Sequence, residues 1–286
     1  MSKLLRAGTR RYLRSPIWWL SVIVSIIFGL CFGDMVYKNY RFEASYYIIP
    51  QIIFSVLISL SISKEFSDGT VRNKIISGCT KQAVFFSEII LGVSACLILF
   101  LIYLITLSTF CIPALSMIPT DIGINSFFGF MLSVVSTSVI CVLIAVLITK
   151  KVTAAVISII FILAITYVSS EINLALGRPE YTRSVEFVYN EETEKSEVVI
   201  GELVPNPQYV GGTKRKLYIF ISDILPSGQA EEYNEILNIY MHRGDTPRII
   251  SSEQSLALKT HHIFSLGVIA VLFSTGCLIF CRRDMK

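Results

Sequence analysis

The chain has 286 residues, of which 53% are apolar and 16% charged, with mean hydropathy +0.65 and a net charge of +4. That balance excludes an ordinary soluble enzyme and a nucleic-acid binder, and places the chain among integral membrane proteins. Its seven cysteines show no CxxC or paired Cys/His spacing, which excludes a zinc ribbon and makes them small core residues.

Residues 3–14 read as an amphipathic helix. Leu4, Leu5, Gly8 and Tyr12 share one face, and Lys3, Arg6, Arg10 and Arg14 share the opposite one. That pattern suits a helix lying in the membrane interface, with a plain basic topogenic tail as the alternative. Trp18 and Trp19 follow at the level expected for lipid headgroups.

Six uncharged runs are each long enough to cross the roughly 30 Å hydrocarbon core: Ser15–Gly33, Ala44–Ser63, Ile89–Thr120, Ile122–Thr149, Val152–Ser170 and Thr260–Cys281. The first is read as a span, because no small-residue cleavage site precedes Asp34. In it Ser21, Ser25, Gly29 and Gly33 recur every four residues, a ladder that lets another helix backbone come close. The partner of that ladder could lie in this chain or in a second copy. Pro50 and Gln51 interrupt the second span, either as a break beside a translocation path or as a kink that a neighbour satisfies.

Between the second and third spans lies Lys64–Gln82, which carries both charge signs and two glycines. Asp68 or Ser67 could cap a short helix running to Ile76 and ended by Gly78, with Val71 and Ile75 one turn apart. Glu88 follows at the start of the third span, where a first-turn acid suits the helix dipole. As an intramembrane charge it could instead be functional.

The segment 171–259 is the candidate separate domain. Ser184–Tyr189 and Ser196–Val204 alternate as a β-hairpin around an acidic turn, Lys214–Leu225 fits either a strand or, as the favoured reading, a helix on the outer membrane surface, and Glu231–His242 reads as a second short helix. His261 and His262 stand at the edge of the last span. Being adjacent they point to different helix faces, so they are read as interface residues rather than a shared metal site.

Lysine and arginine set the expected orientation. The N-terminal segment, Lys64–Gln82, the Lys150–Lys151 turn and the C-terminal tail together hold fourteen basic and three acidic residues, whereas 171–259 holds nine basic and fourteen acidic. The positive-inside rule then puts both termini in the cytoplasm. The expected architecture is an all-α polytopic membrane protein. It has a unit at 1–170 (interfacial helix and five spans), a small α+β extracytoplasmic domain at 171–259, and a sixth span with tail at 260–286.

No phosphate-binding loop, HExxH or GxSxG motif occurs, so no catalytic residue is assigned. The block Lys64-Glu-Phe-Ser-Asp-Gly-Thr-Val-Arg-Asn-Lys-Ile-Ile-Ser-Gly78 resembles the Glu-x-x-x-Gly-Thr-x-Arg-Asn-Lys block of bacterial type-2 ATP-binding-cassette (ABC) export permeases. The segments from Asn206 to Arg215 and from Asp223 to Gln229 are similar to a stretch before the last span in many such permeases. The resemblance implies a non-enzymatic permease subunit, paired with a second permease copy and with a separate ATPase dimer that binds ATP and magnesium.

It also implies a coupling helix seated in the ATPase. In that loop, which holds the Gly69-Thr70 pair, Glu65, Asp68, Arg72 and Lys74 would supply charged contacts, and Val71 and Ile75 an apolar anchor. The N-terminal helix would rest on the same partner. The path would run between two copies, lined by spans one, two and five near Pro50 and Gln51. Cargo would be hydrophobic or amphipathic: an antibiotic, a peptide or toxin, or a lipid. A non-transporting membrane sensor or bacteriocin-immunity protein is the alternative.

Overall fold

The computed structural model describes residues 1–43, 45–148, 150–190, 195–241 and 252–282. In chain order these form α1 (Ser2–Arg14), α2 (Pro16–Asn39), α3 (Ser45–Ser67), α4 (Thr70–Ile76), α5 (Lys81–Leu115), α6 (Thr120–Leu147) and α7 (Lys151–Leu176). There follow the strands β1 (Tyr181–Asn190) and β2 (Lys195–Pro205), and then α8 (Gly212–Ile224), α9 (Pro226–Met241) and α10 (Ser252–Arg282). Six of the helices, α2, α3, α5, α6, α7 and α10, are long and apolar enough to cross a membrane. The protein is a helical multi-pass membrane protein. The turn residues 191–194, His242, Arg283, Asp284 and Lys286 lie outside the described residues.

Local signals explain the breaks. Ser15 is extended and Pro16 takes the first position of α2, which separates α1 from the first span. The Thr80 hydroxyl caps α5 by accepting from the Ala83 amide at 3.2 Å. At the same end of the bundle the Lys81 ammonium donates to the Cys281 carbonyl near the close of α10. α1 and the close of α10 therefore lie at one end, here called the termini end, and α8 and α9 enter at the other.

The small-residue ladder finds its partner within the chain. Ser21, Ser25, Gly29 and Gly33 are buried where α2 packs on α5. A Cβ on Gly29 would meet Thr106 and come within 2.8 Å of the Tyr103 carbonyl, and one on Gly33 within 2.6 Å of the Leu107 carbonyl. The two backbones approach because no side chain stands between them.

Pro50 does not break its helix. α3 is continuous across it, and the Tyr46 carbonyl, four residues earlier, accepts the Tyr103 hydroxyl at 2.6 Å. A neighbouring span thus replaces the hydrogen bond that proline cannot donate.

The segment between the fifth and sixth spans contributes a strand pair and two helices, and among the described residues those helices pack on the spans. β1 and β2 pair antiparallel from Tyr181 opposite Pro205 to Asn190 opposite Lys195, with an irregularity between Arg183 and Val185. The helices form a hairpin inserted among the spans. α9 begins at Pro226, five residues before the expected start, because the proline read as a stop occupies the first helical turn. Its residues Ser227, Ala230, Tyr233 and Ile236 are buried against α6, α7 and α10. At its far end Asn238 pairs with both the amide and the carbonyl of Phe42, at 2.6 and 2.8 Å, in the α2–α3 connection.

Candidate functional site

At the termini end a buried charge network joins four elements. The Glu65 carboxylate, near the end of α3 and 3% exposed, pairs with Arg11 of α1 and with Lys74 of α4 at 2.5 Å. Lys74 also donates to Glu88 of α5 at 2.8 Å. Each buried acid has a cation, and Lys74 serves two acids, as a buried charge requires. α4 is thereby fastened to α1, α3 and α5 together.

The expected contact residues divide between inside and outside. Glu65, Lys74 and Val71 face into the chain, Val71 being 1% exposed, so none of them presents itself to a partner. Ile75 is half-buried on the same core. The outward surface is made by Asp68, Arg72, Asn73, Ile76 and Ser77, with Ile76 72% exposed. The apolar tip is therefore Ile76 rather than Val71.

The cap also differs from expectation. Gly69 takes the N-cap place in the left-handed region (φ 69°), which suits glycine, and no side chain caps the helix. Thr70 is the first residue of α4. Asp68 instead accepts from Lys151, across the turn between α6 and α7, at 3.1 Å, and that hydrogen bond holds its carboxyl below the usual range.

α1 lies as its pattern predicts. Gly8 and Tyr12 are buried and Lys3, Arg6, Arg10 and Arg14 are exposed. Gly8 meets Leu91 of α5, and Tyr12 sets its ring edge-on to Trp18 at 6.3 Å. Sequence reasoning missed Arg11. The available signal was its position beside the apolar stripe, apart from the four outward bases. Glu88 is explained by the same network, since its carboxylate is the second acceptor of Lys74.

At the opposite end the polar contacts are mostly neutral. Gln51, 4% exposed, donates to Ser133 of α6 at 3.3 Å, and Ser133 donates to the Pro226 carbonyl at the tip of α9 at 2.8 Å. Ser169 and Ser227 share a hydrogen bond of 2.6 Å, and Asn173 donates to Glu231 at 2.6 Å. Burial pushes the Glu231 carboxyl up, against the pull of the Asn173 amide. Pro50 and Gln51 are thus packed inside the chain.

Asp223, Glu232 and His261 also meet here. The charge clusters at both ends combine residues far apart in sequence, and only Glu65, Asp68 and Lys74 of them were singled out beforehand as site residues.

Beside this region lies an apolar cavity of about 600 Å³ at the mouth of α3, α5, α6 and α9, lined among others by Tyr46, Tyr103, Phe127, Phe130, Asn234 and Leu237. Compared with protein-family models and with curated proteins, the chain matches none.

Proposed function

We propose that the chain is the membrane-spanning permease subunit of an ATP-driven ABC exporter in a bacterial cytoplasmic membrane, with both termini cytoplasmic. A separate ATPase dimer binds ATP and magnesium, and a second permease copy completes the path. The observation that carries this reading is the mounting of α4. A helix that transmits a push must be fixed to the spans it moves, and Lys74 ties α4 to Glu65 of α3 and to Glu88 of α5. A helix held only by its two connections would absorb the push instead.

Arg72, Asn73 and Ile76 then form the face offered to the ATPase, and the exposed bases of α1 border the same end. The outward faces of α2 and α7, with Ile23, Ile27, Ile160 and Leu163, are uncovered within one chain and leave room for a second copy and for lipid. The apolar cavity supports hydrophobic or amphipathic cargo: an antibiotic, a peptide or toxin, or a lipid.

The test is the substitution Ile76→Asp combined with Arg72→Glu. Both positions are exposed, so insertion and stability are expected to stay normal while co-purification with the ATPase and stimulation of ATP hydrolysis are lost. Wild-type association by this variant overturns the coupling role of α4. Orientation is tested by a protease site inserted at Asn190, expected to be cut from outside intact cells; protection there reverses the topology.

A further inference from the structure

We propose that Asp223, Glu232 and His261 form a binding site for a divalent transition-metal ion of the zinc class, which clamps the α8–α9 hairpin to α10. The three residues come from three helices and bring one ligand atom each within 4.8 Å of the others. His261 Nε2 lies 2.9 Å from Asp223 Oδ1 and 3.2 Å from Glu232 Oε2. Ligand atoms bound at about 2.1 Å around one zinc ion stand about 3 to 3.5 Å apart, so these two edges need little movement to close on a metal. One imidazole nitrogen with two carboxylate oxygens is a donor set that zinc accepts, with a further position left for water.

Charge favours the metal over a simple hydrogen-bonded cluster. A neutral imidazole has one Nε2 proton and can give it to only one of the two carboxylates, leaving a net charge of −2. An imidazolium leaves −1. A divalent ion brings the three groups to neutrality, which matters because His261 is 1% exposed. Among the described residues the other ring nitrogen, Nδ1, is buried without a hydrogen-bond partner. It carries a proton in both the imidazolium and the metal-bound form, so it does not separate them, whereas the net charge does.

The surroundings hold the three ligands in place. Gln229 of α9 donates to the Asp223 carbonyl and accepts from Ser265 of α10 at 2.5 Å. Tyr233 sets its ring edge-on to His261 at 5.5 Å, which fixes the imidazole plane. Asp223 and Glu232 are partly exposed, 14% and 21%, and give an ion a way in. The level also fits. The helix rise puts His261 about 30 Å along α10 from Arg282, at the edge of the hydrocarbon core, where a hydrated ion can arrive.

The experiment uses the full chain in lipid nanodiscs, purified through a tag without histidine, stripped with chelator and titrated with zinc chloride. The expected result is saturable binding of one zinc per chain and a rise in the unfolding temperature. Loss of a direct ligand costs at least as much as loss of its supporting groups, so His261→Ala and Glu232→Gln should each weaken binding by about 100-fold. His262→Ala should bind like the unaltered chain. Cobalt, used in place of zinc, should give visible absorption that His261→Ala abolishes. Should His261→Ala not fold, the isosteric Glu232→Gln at a partly exposed position decides. The proposal is overturned if the unaltered chain shows no saturable zinc binding, or if a folded ligand variant keeps its affinity. Neither readout involves an ATPase, so its failure leaves the transport reading untouched.

Discussion

The two ends of the bundle solve the same problem with different groups. Both must hold a short helical element against the spans. At the termini end full charges do it, in the chain Arg11, Glu65, Lys74, Glu88. At the hairpin end, where the tip of α9 meets Ser133 about 20 Å along α6 from Leu147, serine, glutamine and asparagine do most of it. Depth accounts for the difference. Near the membrane boundary a buried acid can reach cations that stay partly exposed, here Arg11 at 37% and Lys74 at 15%, whereas deeper in the membrane a charged partner would lose its solvation as well, so neutral hydrogen bonds replace charges. The histidine and its two acids return to charged groups only where α10 nears the far boundary.

The comparison breaks first at Glu65. Glu65→Ala leaves Arg11 and Lys74 facing a buried gap, and the expected cost is about 3–5 kcal/mol, read as a large fall in unfolding temperature in detergent. A loss under 1 kcal/mol, the range of surface ion pairs, would mean that the network is solvated and that the two ends are not different in kind. Ser133→Ala at the other end removes one neutral donor, and about 1 kcal/mol is expected from the same measurement.

A third substitution examines the spans between the two ends. Tyr103→Phe removes the donor to the Tyr46 carbonyl and should cost about 1 kcal/mol. In a Pro50→Ala background the restored backbone amide can bond that carbonyl, and the cost of Tyr103→Phe should shrink. Equal losses in both backgrounds would show that the tyrosine does not substitute for the missing proline donor.

These contrasts also explain what could be read from the chain. The spans were legible because each is a long uncharged run, and the faces of α1 because its stripe repeats at helical period. Val71 was legible as apolar but not as inward-facing. On a seven-residue helix Val71 and Ile76 are equally good apolar candidates, and only packing against α3 and α5 chooses between them. The hairpin was misread for a specific reason. Pro226-Ser-Gly is a stop signal in water, but here the proline opens α9 and the small residues fit close to neighbours, Gly228 against the Ser222 carbonyl and Ser227 against Ser169. Asp223, Glu232 and His261 have no shared period, so their meeting exists only after three helices have packed.

The smallest expected effect is also the sharpest on the contrast between charged and neutral ends. Glu231 sits at the hairpin end with its carboxyl pushed up by burial, so the folded chain binds its proton more tightly than the unfolded chain does. Stability from this group is therefore fully present below the ordinary glutamate range and declines as pH rises through that range to the raised native value. Glu231→Gln keeps the shape and can still accept from Asn173 through its amide oxygen, but it cannot ionise. The variant should match the unaltered chain in acid, equal or exceed it at neutral pH, and lose this part of the pH dependence of unfolding. A variant clearly less stable at neutral pH would mean that an ionised Glu231 is held there by a favourable partner. The hairpin end would then rest on charge as the termini end does, and membrane depth would not be what separates them.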